Sequence, residues 1–156
     1  MDSPKRRILL ISCFFYPQNR IPVLRVGQWA KYWALQGHDV TVLTTRKYGF
    51  EGPFGLEPDL PDSVTVIEVP YLPGWLQRRM ERTRPSSQGS TSTQGATSGL
   101  KTRLRSLRKT IGSNFDIHDL WISAAYKAGM ALMAKNKHDA IVSSFSPPAA
   151  HTVASK

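Results

Sequence analysis

The sequence predicts an α/β domain built on a doubly wound parallel sheet. Three observations carry that expectation. Residues 8–12 (Ile-Leu-Leu-Ile-Ser) and 40–44 (Val-Thr-Val-Leu-Thr) are short runs with little polar alternation. Strands of this kind are buried on both faces, as in parallel sheets. Between them lies a helix-period stretch stopped by Gly37, which completes a βαβ unit, and a similar helix–strand–helix alternation returns after Asp116.

Taken in order, the first strand covers Ile8–Ser12 and an open loop runs from Cys13 to Leu24. The first helix is expected to start near Arg25. Val26, Trp29, Ala30 and Trp33 form its apolar stripe, and Gln28, Lys31, Tyr32 and Gln36 take the more exposed positions. Gly37 suits the left-handed position that ends a helix. A second strand, Val40–Thr45, follows. Residues 46–63 are rich in Gly, Pro and acids and read as a loop. Ser63–Pro70 is a third strand, closed by its proline.

Tyr71–Arg84 mixes Leu72, Trp75, Leu76 and Met80 with Arg78, Arg79, Arg82 and Arg84. Residues 85–99 are of low complexity and have almost no apolar surface to bury, so an insertion over 85–113 is expected to be disordered. Within it, Leu100, Leu104 and Leu107 share one face among cations, the pattern of a short basic amphipathic helix. Beyond Asp116, Trp121, Ala124, Ala125, Ala128 and Leu132 make a second helical stripe. His138–Ser144 is the next strand, and Pro147-Pro148 open a last helix. A doubly wound sheet calls for a further strand or two, so the chain reads as one domain of a longer protein.

Composition bounds the function. A length of 156 residues with 40% hydrophobic content suits a single domain with a core. No apolar run approaches a membrane span, and the polar stretch Met1–Arg7 leads into a strand rather than a signal peptide, so a cytoplasmic location is the default. The single Cys13 excludes an internal disulfide, argues against a cysteine metal site, and reads as a small buried hydrophobe. There is no Ser-His-Asp arrangement, metal-spaced His/Asp cluster or phosphate-loop lysine motif.

Of the net charge of +10, +8 falls in residues 71–113, where nine Lys/Arg face one acid, Glu81. The basicity therefore belongs to the insertion and not to the folded face that a nucleic-acid binder would use. The second basic run also lacks stacking aromatics, so no nucleic-acid partner is expected. Two readings of 71–113 stand. One is contact with an anionic membrane surface through Trp75, Arg78, Arg79, Arg105 and Arg108, with apolar help from Leu76, Leu104 and Leu107. The other is a solvated excursion with incidental charge.

In open parallel sheets ligands gather beyond the carboxyl ends of the strands. That rule selects Phe14–Arg25 and Ser144–His151. Arg20 and Arg25 are candidate phosphate ligands, against the alternative of ordinary surface arginines. Tyr16, Ser144, Phe145, Ser146 and His151 are candidates for a pocket lining. Their alternative is loop and cap chemistry, with Ser146 capping the last helix. His38 and His118 read as structural.

The pattern Phe14-x-Tyr16-Pro17, Arg25…Trp29-Ala30-Lys31-Tyr32, then Gly37-His38-Asp39-Val40-Thr41-Val42-Leu43-Thr44, resembles the N-terminal domain of family 4-type glycosyltransferases. The run Asp139-Ala-Ile-Val-Ser-Ser-Phe-Ser-Pro-Pro-Ala-Ala-His-Thr-Val-Ala is similar to a second block of that domain, and the two arrive in the family's order. The resemblance implies the N-terminal, Rossmann-like half of a GT-B enzyme. It implies sugar transfer from a nucleotide-sugar to a glycan or lipid-linked acceptor, without an obligatory metal or other cofactor. It also implies that a C-terminal domain grips most of the donor, so that this chain alone is inactive. Many relatives carry a Gly-Gly pair in the first loop. Here the loop reads Pro17-Gln18-Asn19-Arg20-Ile21-Pro22-Val23-Leu24-Arg25, and a subgroup with a proline and an arginine eight residues apart is the better match. The donor-phosphate role then falls to Asn19, Arg20, Ile21 and Arg25 at a helix N-terminus. The competing reading is a non-catalytic Rossmann-like binding module attached to a membrane surface or a protein partner.

Overall fold

The central strands set the architecture. The computed structural model describes residues 4–82, 117–145 and 147–156. Among them, β1 (Arg7–Ser12), β2 (Asp39–Thr45), β3 (Thr65–Val69) and β4 (Ala140–Ser143) form one sheet in the order β3-β2-β1-β4. Every pairing is parallel, with Ile8 beside Val40 and Ala140 and with Leu43 beside Ile67. This is an α/β sheet compatible with a Rossmann-like fold.

Helices cover both faces, which explains the unbroken apolar runs. Leu9 and Ile11 of β1 and Leu43 of β2 point toward α3 (Trp121–Lys135) and α4 (Ala149–Ala154), packing on Trp121, Ala125, Ala149, Ala150 and Val153. Leu10, Val40 and Val42 point the other way, toward Val23, Val26 and Ala30 of α1 (Ile21–Leu35). Only the two central strands are fully sandwiched. The edge strands leave Val66 and Ile141 exposed.

Helix α1 begins at Ile21, four residues before the expected start. Pro22 lies in its first turn, where its fixed φ suits a helix and its missing N–H costs no bond. The earlier start adds Val23 to the buried face, which also holds Val26, Gly27 and Ala30, while Trp29 and Trp33 stack at its flank, half-buried. Gln28 and Lys31 are likewise half-buried rather than exposed. The C-terminus closes as the sequence predicts. Gly37 has φ +86, its N–H donates to the Ala34 carbonyl, and the His38 N–H donates to the Trp33 carbonyl, a Schellman arrangement.

Four further elements differ. The third strand is Thr65–Val69 and the fourth Ala140–Ser143, each shorter than expected. The 46–63 loop contains a 3-10 turn at Gly49–Glu51. A helix, α2 (Gly74–Arg82), occupies the stretch to which the sequence assigned no element. The expected disorder over 85–113 and its amphipathic helix lie outside the described residues. No helix among the described residues is long and apolar enough to cross a membrane.

Candidate functional site

The strand order places the tips of β1 and β4 side by side. From β1 the chain winds outward through β2 to β3 on one side, then returns to β4 on the other. The β1/β4 boundary is therefore the point where the winding reverses, and its carboxyl end is where open sheets bind ligands. The Ser144 N–H still donates to the Ile11 carbonyl, so the two tips stay joined as they leave the sheet.

Arg25 spans this boundary. Its Nη2 donates to Ser144 Oγ at 2.9 Å and to the Phe145 carbonyl at 3.2 Å, while its guanidinium lies 5.7 Å from the Trp29 ring. The Arg25 side chain is thereby fixed at the crevice mouth although it is exposed. Just behind it, Ser143 Oγ and His151 Nδ1 are 2.5 Å apart, and the His151 ring stacks on Phe145 at 5.6 Å. Phe145 is 61% exposed, an outward apolar ring stacked on an imidazole, with its carbonyl held by the Arg25 guanidinium.

Arg20 turns the other way. It lies 4.9 Å over the Phe14 ring and reaches the Glu51 carbonyl at 3.4 Å. The two candidate phosphate arginines thus flank the loop on opposite sides instead of converging. Ile21 is the first residue of α1 and is 84% exposed, and Asn19 is held by its N–H donating to the Pro53 carbonyl. The N-cap position, Arg20, makes no side-chain capping bond, so the positive end of α1 opens beside this loop. Tyr16 does not face an open pocket. It is buried against Gly27 and packs edge-to-face on Phe15. Ser146, Arg105 and Arg108 lie outside the described residues. Trp75, Arg78 and Arg79 sit on α2, away from the β1/β4 boundary.

Sequence reasoning missed a second cluster on the β1/β2/β3 side. Lys47 Nζ donates to the Cys13 carbonyl at 3.1 Å and to the Thr44 and Thr45 hydroxyls, each at 3.0 Å. Its three N–H donors lock the tip of β1 to the tip of β2. Glu51 accepts from the Tyr71 hydroxyl at 2.6 Å with one oxygen and from the Tyr48 N–H at 2.8 Å with the other. Burial, then the bond to Glu51, pushes the Tyr71 hydroxyl far above the ordinary tyrosine range, so it stays a neutral donor. His118 contacts the rings of both Phe14 and Tyr71 and is half-buried there. A lone lysine after a strand gives no sequence signal for such a lock, because its partners are a backbone carbonyl and two threonines.

Desolvation lowers the Lys47 pKa from 10.5 to about 8, against the opposing pull of Glu51 and Glu68. The unfolded chain holds this proton more tightly than the folded one. Stability is therefore expected to rise as pH climbs from about 8 toward 10.5 and the buried ammonium deprotonates. Below that window the cost of burying the charge is fully present. Urea melts across this range should show that rise in wild type and lose it in Lys47→Met; equal pH profiles for the two proteins would contradict the assignment.

A shallow hollow at the opposite, amino edge of the sheet is lined by Lys5, Arg7, Asp39, Lys137 and Asp139. Its carboxylates lie among its cations, and Asp139 already accepts from the Arg7 N–H at 2.7 Å, so it lacks the single-sign convergence of a ligand site. Among the described residues, no three His, Cys, Asp or Glu side chains are grouped to hold a metal ion. No protein-family profile and no curated protein sequence matches the chain.

Proposed function

We propose that this domain is the acceptor-side lobe of a nucleotide-sugar-dependent glycosyltransferase of GT-B architecture, acting on a glycan or lipid-linked acceptor. The observation that carries the reading is the Arg25 bridge to Ser144 and Phe145 across the reversal point of the sheet. It joins the two sequence blocks on which the resemblance rests, 119 residues apart, at one crevice mouth.

On this reading Arg25 and the open N-terminus of α1 supply positive potential toward the donor diphosphate. Phe145, stacked on His151, offers an apolar face to a sugar ring, with Ser144 as a nearby hydroxyl. On this reading a second lobe, separate from this domain, grips the nucleotide, and no metal takes part. The 156-residue chain by itself is then expected to transfer no sugar.

The test is transfer from a panel of nucleotide-sugars by the complete reading frame. Arg25→Ala should lower kcat/KM by about 100-fold, the scale for losing one charged donor at a developing anion, while its melting stays at the wild-type value. Turnover by the isolated domain, or full activity in Arg25→Ala, would sink the proposal.

A further inference from the structure

Helix α2 carries an outward face that the site does not use. Trp75, Arg78, Arg79 and Arg82 follow the i, i+3, i+4, i+7 spacing that places side chains on one side of a helix. All four are exposed, and Trp75 is 68% exposed. One flank anchors the helix. Leu76 packs against the core cluster that contains Tyr71 and Leu72, the two buried residues just before the helix. The Leu76 and Gln77 N–H groups both donate to the Pro73 carbonyl, which fixes the first turn. The indole and the arginines are therefore presented by a helix tied to the domain.

We propose that this face of α2 seats on an anionic phospholipid surface, with Trp75 in the headgroup layer and Arg78 and Arg82 on lipid phosphates. An indole with one apolar body and one N–H is suited to the boundary between acyl chains and water. Guanidinium groups pair with phosphate through two parallel donors. Charge complementarity selects the lipid sign: α2 itself holds Arg78, Arg79 and Arg82 against one acid, Glu81. A single-stranded nucleic acid fits less well, since its binders offer a series of stacking rings and this face offers one. The proposal stands on α2 alone and is independent of the sugar-transfer reading.

The test is co-sedimentation of the complete chain with vesicles of phosphatidylcholine alone or mixed with phosphatidylglycerol. Binding is expected only to the mixed vesicles and should weaken with added salt. Arg78→Gln with Arg82→Gln should reduce it about 30-fold, at about fivefold per cation near the surface. Vesicles should blue-shift the tryptophan emission of the wild type, and Trp75→Phe should remove that shift with unchanged melting. Equal binding to both vesicle types, undiminished binding by the double arginine variant, or tighter binding to single-stranded RNA than to mixed vesicles would overturn the assignment.

Discussion

Trp121→Ala is expected to destabilise the domain by about 3–5 kcal/mol, the range for removing a fully buried aromatic. Trp121 has no exposed surface and opens α3 against the sheet face formed by Leu9, Ile11 and Leu43. Its neighbours there include Ala125, Ala149 and Ala150, whose side chains are too short to collapse into the space. A domain of ordinary stability holds roughly 5–15 kcal/mol in total, so the variant should be partly unfolded at physiological temperature. Trp121→Phe should be far milder. The indole Nε1 has no acceptor among the described residues, so the phenyl ring loses area but no hydrogen bond. Urea denaturation should show the alanine variant with a much lower midpoint and the phenylalanine variant between it and wild type. A wild-type midpoint for Trp121→Ala would contradict the packing.

Gly27→Val should cost about 2–3 kcal/mol and disturb the β1–α1 loop. Glycine inside a helix normally costs about 1 kcal/mol relative to alanine, so a reason for its presence is required. The reason is Tyr16. A Cβ on Gly27 would lie 2.5 Å from the Tyr16 hydroxyl oxygen and 2.6 Å from Cε2. The ring has little freedom to retreat, being 8% exposed and set edge-to-face on Phe15 at 5.2 Å. Any side chain at 27 therefore pushes Tyr16, and with it the loop leading to Arg20 and Arg25. Tyr16→Leu in the Gly27→Val background should recover part of the loss, giving non-additive free energies. Strict additivity of the two changes would argue that the ring and the glycine are not in contact.

Local chemistry made much of the scaffold legible. The βαβ unit, the Gly37 terminus and the two-faced burial of β1 and β2 were all readable from runs of a few residues, because periodicity and glycine conformation are local properties. The start of α1 was also written in the sequence, in Pro22. The apolar stripe beginning at Val26 hid it, since Val23 extends that face only once the cluster with Phe14, Phe15 and Tyr16 forms around it. For α2, cations interrupt the pattern, and its anchor Leu76 needs a core built from distant strands before it has anything to bury against.

The candidate site divides the same way. Residue types and strand ends pointed to Arg25, Ser144, Phe145 and His151, but whether they meet depends on which strand lies beside β1. That choice rests on pairings across more than a hundred residues, such as Leu10 with Val142, and on which sheet face α3 and α4 cover. Tyr16 moved from pocket to core, Arg20 turned from Arg25 toward Glu51, and Lys47 emerged as the lock between β1 and β2. Sequence by itself determined which segments become strands and helices, because those preferences act over one or two turns of chain. Only the tertiary structure decided which tips share an edge and which charges are desolvated, because burial depends on neighbours that the chain brings back from far away.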